Sequence, residues 1–271
     1  MAANRWADEA TERRRLSFGA DAEHYDRVRS AYPEDLVDDA IAYAGQDLTS
    51  TGRTLEVGAG TGKATLQFAS RGLRIDAIEP DEAMAAVARR RLANAGVAVA
   101  LQVSDFESAG VADHAYGLLY AAQAWHWVIP ERRCELAAAA LAPGGAAAIF
   151  WNWPAWSRCE LHDAVTDAYR RSGAQAAKDA MTHPSAVFDW RTEDLSGSPL
   201  FTDVDRRTYD WVERYSAIEY IDLLATDSGY VRLAASERER LFSEVANVIA
   251  DAGGSFDLPY RTFLCLARRG P

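Results

Sequence analysis

Three glycines at alternate positions, Gly58, Gly60 and Gly62, follow a short apolar run that contains the acidic residue Glu56. Glycine adopts backbone conformations that other residues avoid, and it lets a ligand approach the main-chain amides closely. In an open α/β sheet, ligands bind at the carboxyl ends of the strands. If residues 53–58 form a strand, this bare turn predicts a ligand site at its carboxyl end.

The glycine spacing separates three classes of ligand. A nucleotide P-loop needs G-x-x-x-x-G-K-[ST], but here Ala64 follows Gly62 and Lys63, and Val57 stands where the first glycine would be. A dinucleotide fingerprint, G-x-G-x-x-G, needs a glycine where this chain has Lys63. The spacing therefore excludes the first class and disfavours the second. An acidic residue followed by G-x-G-x-G remains to be explained.

The hydrophobic pattern predicts the elements that must position this turn. Between residues 53 and 152, short apolar runs alternate with helical patterns, which is typical of a parallel sheet with helices on both faces. The predicted strands are 53–58, 73–79, 97–103, 116–121 and 146–151. The predicted helices are 62–71, 81–95 and 130–141, and a Pro-Gly-Gly turn at 143–145 precedes the fifth strand.

The rest of the chain divides into regions of different pattern. Residues 1–46 are polar and helix-like, and we expect them to form an N-terminal helical lid on a core of residues 47–153. Residues 154–200 predict a helical cap or insertion, and residues 201–271 predict the remaining strands and helices. In that last region the alternation at 203–215 predicts a strand, 216–250 is helical, and the chain closes with a strand near 258–269.

Four segments, in this order, resemble the class I S-adenosylmethionine-dependent methyltransferases. The acidic residue with G-x-G-x-G is similar to the first motif of that family, IEPDEAM at 78–84 to the second, and VSDFE at 103–107 to the third. AAQAWHWV at 121–128 resembles a segment found after strand 4 in a branch that acts on small molecules. LAPGGAAAIFWN is similar to the family's helix, turn and fifth strand.

The N-terminal stretch resembles the same branch. Its pattern, F-x-x-x-A-x-x-Y-x-x-x-R-x-x-Y-P, is present as Phe18, Ala22, Tyr25, Arg29, Tyr32 and Pro33. The resemblance implies an α/β fold of three Rossmann-like layers. Its sheet would have seven mostly parallel strands with an antiparallel last strand, and the helical lid and a cap from the C-terminal half would cover it.

The resemblance also implies a binding site for S-adenosyl-L-methionine. Glu56, Gly58 and Gly60 would line the methionine part, and Glu79 would accept both ribose hydroxyls, as a carboxylate can. Asp105 would take the adenine amino group, and Arg29, one turn after Tyr25, would pair with the cofactor carboxylate. The full set implied is Tyr25, Arg29, Glu56, Gly58, Gly60, Glu79, Pro80, Asp105, Phe106 and Gln123.

Methyl transfer would take place near residues 121–128. His126 is the candidate catalytic base, although alignment of donor and acceptor can lower a barrier more than a base does. The candidate walls of the acceptor pocket are Trp125, Trp127, Trp151, Trp153 and Tyr209. An aromatic face also stabilises a sulfonium cation. For each of these side chains the alternative is packing in the core, and for His126 it is a structural role in a loop.

Composition narrows the classes of partner. With 29 basic and 40 acidic residues, the formal net charge is −11, which disfavours nucleic acid. Three widely spaced cysteines and the lack of a signal-like or membrane-spanning apolar run predict a cytoplasmic protein. The histidines form no metal-binding spacing, so we expect no metal. The oligomeric state stays open.

Two functions compete on these residues. The first is methyl transfer to an oxygen, nitrogen or carbon of a small organic acceptor, a chemistry that also occurs in bacterial secondary metabolism. The second keeps the fold and the cofactor but catalyses a cyclisation or rearrangement without methyl transfer, or serves as a binding partner. A nicotinamide-dependent dehydrogenase is a distant third. Fold resemblance alone does not choose the acceptor.

Overall fold

In a computed structural model, which describes residues 21–173, 195–227, 230 and 233–270, one seven-stranded sheet organises the chain. The strand order is β3-β2-β1-β4-β5-β7-β6. Strands β1 to β5 run parallel, and β7 lies between β5 and β6, antiparallel to both. The strands are β1 Thr54–Val57, β2 Ile75–Glu79, β3 Ala100–Val103, β4 Tyr116–Ala122, β5 Leu141–Pro154, β6 Phe201–Ser216 and β7 Ser255–Arg269. This arrangement confirms the predicted fold class.

Helices cover both faces of the sheet. They are α1 Ala22–Val28, α2 Glu34–Thr51, α3 Lys63–Ala69, α4 Glu82–Asn94, α5 Pro130–Ala140, α6 His162–Ser172, α7 Ala217–Ala225 and α8 Ala235–Asp251. Local sequence sets several boundaries: Asp81 accepts the amide hydrogens of Ala83 and Met84 at the start of α4, and Ser216 with Glu219 forms a capping box on α7. None of the helices among the described residues is long and apolar enough to cross a membrane.

The alternation of side chains along the strands creates two core layers. Leu55, Val57 and Ile149 point to the face that α5 covers. Tyr120 and Phe150 point to the opposite face, where they pack with Phe68 of α3 and with the apolar side of α2. Strand β1 is buried along its whole length, as a central parallel strand must be. Its carboxyl end therefore opens onto the edge where loops can hold a ligand.

The N-terminal region is divided differently from the prediction. Helix α2 crosses the predicted boundary at residue 46 and buries Leu36, Val37 and Ala40 in the same core as Tyr120. It is thus one of the helices of the core. Among the described residues, the predicted lid therefore consists of two parts. One is α1, which we call the lid helix, and the other is residues 29–33, which we call the strap. Phe18, the first residue of the N-terminal pattern, lies outside the described residues.

The C-terminal half supplies a second core of its own. Helices α6, α7 and α8, together called the cap, pack with the ends of β6 and β7 around buried aromatic residues that include Tyr215, Tyr220 and Phe256. The cap therefore draws on both predicted regions, 154–200 and 201–271. It stands beside the lid helix, because His24 Nε2 lies 3.3 Å from the main-chain oxygen of Asp222 in α7.

Candidate active site

The glycine loop, residues 58–62, occupies the carboxyl end of β1. All three glycines have positive φ angles, +75° at Gly58, +57° at Gly60 and +81° at Gly62, a region that disfavours side chains with a Cβ atom. At Gly58 the space is closed as well, because an added Cβ would lie 2.3 Å from Ala124 Cβ. The loop therefore packs directly against the segment that follows β4, and glycine is required at position 58.

Glu79 joins the glycine loop to the end of β2. Its Oε2 accepts the Gly60 amide hydrogen at 2.7 Å and its Oε1 accepts that of Asp81 at 2.9 Å. The side chain is buried, with 7% exposed. Asp81, and not Glu79, caps α4, and Pro80 forms the turn between them. Each carboxylate oxygen has a second lone pair, so Glu79 can hold the loop and still accept a ligand hydroxyl.

Glu56 is buried behind the glycine loop. It is fully buried, and burial is the main reason why the pKa of its carboxyl is raised to about 7; the Thr65 and Tyr120 hydroxyls act to lower this pKa, and the nearby charge of Glu79 acts to raise it. Neither hydroxyl makes a hydrogen bond of ordinary geometry with it, and both carboxylate oxygens lack a partner. A buried polar group without a partner is rare in a native structure. The glycine loop thus lies over a polar group that is unsatisfied without a ligand or a water.

A second unsatisfied acceptor follows β3. Asp105 Oδ1 is buried and has no hydrogen-bond partner, while the next residue, Phe106, is buried in the core beside Trp125 and Val128. The packing of Phe106 fixes the backbone that carries Asp105. The loop is also fastened to the next one, because Glu107 Oε1 accepts the Ile129 amide hydrogen at 2.7 Å. Asp105 is therefore a hydrogen-bond acceptor that is held in place at the carboxyl ends of the strands.

Gln123 begins the segment that we call the transfer loop, residues 123–127. It has a φ of +57°, which costs a non-glycine residue on the order of 1 kcal/mol. Its amide hydrogen bonds to Phe150 O at 2.9 Å, and its side-chain Nε2 donates to Asn152 O at 3.0 Å. These contacts hold Gln123 at the junction of β4 and β5, next to Ala124 and hence to Gly58.

His126 is half-buried within the transfer loop. Its ring lies 4.7 Å from the Trp127 ring, and the Trp151 indole donates to its Nδ1 at 3.5 Å, the outer limit of a hydrogen bond. With Nδ1 as the acceptor, the proton of the neutral ring lies on Nε2. In that tautomer Nε2 is a hydrogen-bond donor and the proton-accepting nitrogen faces the indole.

The five predicted pocket residues differ in how deeply they are buried and in what they contact. Trp127 and Trp153 are half-buried, on the transfer loop and near the end of β5. Trp125 and Trp151 are buried in the core, with 0% and 2% exposed, so they offer an acceptor almost no surface. Tyr209 on β6 donates to Asp39 of α2. For Trp125, Trp151 and Tyr209 the structure thus favours packing over a place on the pocket wall.

Tyr25 of the lid helix and Arg29 of the strap contact each other. The guanidinium of Arg29 stacks on the Tyr25 ring, 5.1 Å from its centroid, and Tyr25 packs against the side of α4. Arg29 Nε donates to Thr226 Oγ1 at 3.1 Å, and its Nη2 lies 3.9 Å from Asp227 Oδ2. In this structure Arg29 therefore contacts the end of α7, whereas the sequence predicted that it would pair with a ligand carboxylate.

Sequence reasoning missed the ion pairs that fasten the lid helix. Asp26 lies 3.7 Å from Lys63 Nζ, at the start of α3, and accepts a hydrogen bond from Arg91 of α4. The Thr61 hydroxyl and both cations lower the pKa of Asp26, although burial, the largest single influence, acts in the opposite direction. The sequence offered one signal for these ion pairs, which is that a lysine, Lys63, directly follows the glycine loop in an arginine-rich chain.

Comparison with known proteins places these features in a wider context. A family model described as a methyltransferase domain matches residues 54–145, which hold the glycine loop, Glu79, Asp105 and the transfer loop. An uncharacterized methyltransferase of Mycobacterium tuberculosis is 30% identical over 239 residues, covering 87% of this chain and 86% of the relative. An uncharacterized methyltransferase of Schizosaccharomyces pombe is 24% identical over 234 residues, covering 86% and 87%.

Solved structures share the fold at low identity. A type II methyltransferase from Anaeromyxobacter dehalogenans is similar with a TM-score of 0.60 and 20% identity, over 89% of this chain and 97% of that one. A phosphoethanolamine N-methyltransferase of Haemonchus contortus, in complex with phosphomonomethylethanolamine and S-adenosylhomocysteine, is similar with a TM-score of 0.50 and 14% identity, over 96% of this chain and 59% of that one. At these identities the likeness concerns the fold.

Proposed function

The chain belongs to the methyltransferase family, and from this premise we propose that it transfers a methyl group from S-adenosyl-L-methionine to a small organic molecule. The observation that carries the proposal is the set of unpartnered buried acceptors on β1 and after β3. The oxygens of Glu56 and Asp105 Oδ1 lack hydrogen-bond partners, and buried acceptors without partners are costly. A ligand rich in N–H and O–H donors fits that edge.

The residues present fit this cofactor. Glu79, whose carboxylate is held by the Gly60 amide, has lone pairs left for ribose hydroxyls. Asp105 Oδ1 is free to accept from the adenine amino group. Glu56, two residues before the glycine loop, would line the methionine part of the cofactor. When bound, S-adenosyl-L-methionine supplies an electrophilic methyl group on a sulfonium.

The roles of the chain are binding, alignment and exclusion of water. We assign alignment to the transfer loop, where Gln123 is fixed by two hydrogen bonds. Well-aligned reactants can gain about 7–11 kcal/mol over free ones, which exceeds the contribution expected of a base. His126 is proposed as a site residue and as the candidate base. Trp127 and Trp153 are proposed as the aromatic wall.

The acceptor is proposed to be small and neutral or apolar. The formal net charge of −11 repels polyanions. The lid helix and the cap meet over the sheet edge, where His24 contacts Asp222 and Arg29 contacts Thr226. A site bounded in this way favours a molecule that fits beneath a lid over a polymer that must thread through it.

Calorimetric titration with S-adenosylmethionine and S-adenosylhomocysteine tests the cofactor site. Both ligands are expected to bind the natural protein. Glu79→Ala should weaken the binding of each ligand by about 10-fold to 100-fold, because two charge-assisted hydrogen bonds from the ribose hydroxyls to the carboxylate are lost. Glu82→Ala serves as the matched control, since Glu82 is an exposed glutamate three residues along that pairs only with Arg89 among the described contacts.

Mass spectrometry tests the transfer itself. The natural protein, incubated with S-adenosylmethionine and fractions of a cell extract, should yield a product heavier by one methylene group together with S-adenosylhomocysteine. Binding of both cofactor forms without any methylated product would favour the non-methylating reading. If Glu79→Ala left the dissociation constants unchanged, the assignment of Glu79 to the ribose would be wrong. Failure of the natural protein to bind either ligand would overturn the proposed function.

A further inference from the structure

Asn152, near the end of β5, contacts three separate parts of the molecule. Its side-chain Nδ2 donates to Ala31 O of the strap at 2.9 Å, and its Oδ1 accepts from Thr262 Oγ1 of β7 at 2.7 Å. Its main-chain oxygen accepts from Gln123 Nε2 of the transfer loop at 3.0 Å. One residue thus joins the strap, the transfer loop and the neighbouring strand.

The direction of this hydrogen-bond chain is fixed at both ends. The Trp211 indole, which can only donate, bonds to Thr262 Oγ1 at 2.8 Å. With a lone pair of Thr262 engaged in this way, its one hydroxyl hydrogen can point at Asn152 Oδ1. At the other end Ala31 O can only accept. The Asn152 amide therefore has a single orientation that satisfies all partners, with Nδ2 towards the strap.

Burial makes this orientation costly to change. Thr262 is fully buried, and Trp211, on the edge strand β6, is stacked on Tyr260 with ring centroids 4.6 Å apart. A rotated Asn152 amide would leave the Thr262 hydroxyl without an acceptor inside the protein, which is unfavourable. The rigid β6–β7 pair thus sets which way Asn152 points.

The same strands hold the strap at a neighbouring position. Tyr215 Oη lies 3.3 Å from Ser30 Oγ and 3.1 Å from Tyr260 Oη. Ser30 and Ala31 directly follow Arg29, the lid residue expected at the cofactor. The contacts of the strap with β5 and β6 therefore contribute, beside those of the lid helix itself, to where Arg29 stands relative to the transfer loop.

We propose that Asn152 is a positioning residue for methyl transfer, which holds the strap on the sheet edge at the point where Gln123 is also held, with its amide oriented by Thr262 and Trp211. The Asn152 side chain then holds the strap beside the contact of Tyr215 with Ser30, and the main-chain oxygen of the same residue holds Gln123. This inference rests on the proposed function. The Asn152 side chain acts through the strap, which carries Arg29.

Hydrogen exchange of the strap amides and calorimetric affinity for S-adenosylhomocysteine test the inference. Asn152→Asp replaces the donor to Ala31 O with a carboxylate oxygen of the same size. Thr262→Val removes the hydroxyl at constant shape, and Thr262→Ser keeps the hydroxyl but loses a methyl group. Asn247→Asp makes the same chemical change as Asn152→Asp at an exposed position of α8 and serves as the control.

If the amide orientation matters, Asn152→Asp and Thr262→Val should each speed hydrogen exchange of the strap amides in the ligand-bound protein. Each should also weaken the binding of S-adenosylhomocysteine by about tenfold. Thr262→Ser and Asn247→Asp should stay within about twofold of the natural protein on both readouts. A role of Thr262 in packing alone predicts the reverse order, since the smaller serine leaves a cavity in the core.

Two results would overturn the inference while leaving the proposed function intact. One is that Thr262→Ser proves as harmful as Thr262→Val; the other is that Asn152→Asp leaves strap exchange and affinity unchanged. Both require a natural protein that binds S-adenosylhomocysteine. If the natural protein does not bind it, the proposed function fails first and the inference falls with it, so the two failures are distinct.

Discussion

Glu56 is a carboxylic acid placed where its charge is costly. It is fully buried, its two oxygens lack partners, and burial raises its pKa to about 7 from an ordinary value of 4.5. A group whose pKa is raised in the folded protein stabilises it fully below the ordinary pKa, and this contribution is lost as the pH rises through the folded pKa. Glu56 should therefore weaken the apo protein between about pH 4.5 and pH 7.

We predict that Glu56→Gln removes this dependence, because the amide carries no titrating proton. In urea unfolding, the stability of the natural protein relative to Glu56→Gln should fall by on the order of 3 kcal/mol between about pH 4.5 and about pH 8. The comparison cancels the other titrating groups, which both proteins share. A difference that stays constant over that range would mean that Glu56 is ionised and solvated in the folded protein.

At the scale of elements, the lid helix is a short helix held from outside. With seven residues it is too short to be stable alone. Asp26 connects it to Lys63 and Arg91, and Glu23 connects it to Arg90. The two acidic residues differ in burial: the Asp26 side chain is 18% exposed and that of Glu23 is 58% exposed. Partly buried pairs are screened less by water and salt.

We predict that Asp26→Asn loosens the lid helix and that Glu23→Gln does so much less. Limited trypsin cleavage after Arg27 should become about fivefold faster in Asp26→Asn, the equivalent of about 1 kcal/mol of local opening. Glu23→Gln, which breaks an exposed pair on the same helix, should change the rate by less than about twofold. Equal effects of the two substitutions would show that the burial of Asp26 contributes nothing to lid stability.

The whole molecule brings the core, the lid and the cap together at one edge of the sheet. The strap is held by Asn152 of the core sheet and by Tyr215 beside the cap, and the lid helix contacts α7 through His24. The proposed ligand at this edge would be covered by elements from both ends of the chain. Its binding should therefore stabilise the molecule as a unit.

We predict one cooperative thermal transition that S-adenosylhomocysteine shifts upward. At about 100 times its dissociation constant, the ligand adds about 2.7 kcal/mol, which corresponds to a rise in Tm of about 5 °C for a chain of this size. Calorimetry checks both statements. A separate transition that the ligand does not move would show that the cap unfolds independently of the cofactor site.

The amino-acid sequence by itself determined the sheet, its helices and the edge at which the glycine loop lies. The glycine loop could be predicted because positive φ angles require glycine at Gly58, Gly60 and Gly62. The strands could be predicted because buried parallel strands are continuous apolar runs. Glu56, Glu79 and Asp105 could be singled out because their segments resemble the family's motifs; Glu56 lies within the first run, Glu79 ends the second and Asp105 follows the third.

Only the tertiary structure decided which side chains meet across the sheet. Strand β7 lies between β5 and β6, and this insertion brings together Asn152, Trp211 and Thr262, although 110 residues separate Asn152 from Thr262. The same long-range packing places Trp125 in the core and turns Arg29 towards Asp227. Local periodicity shows which face a residue occupies, whereas the partner on that face depends on the order of strands that are distant in sequence.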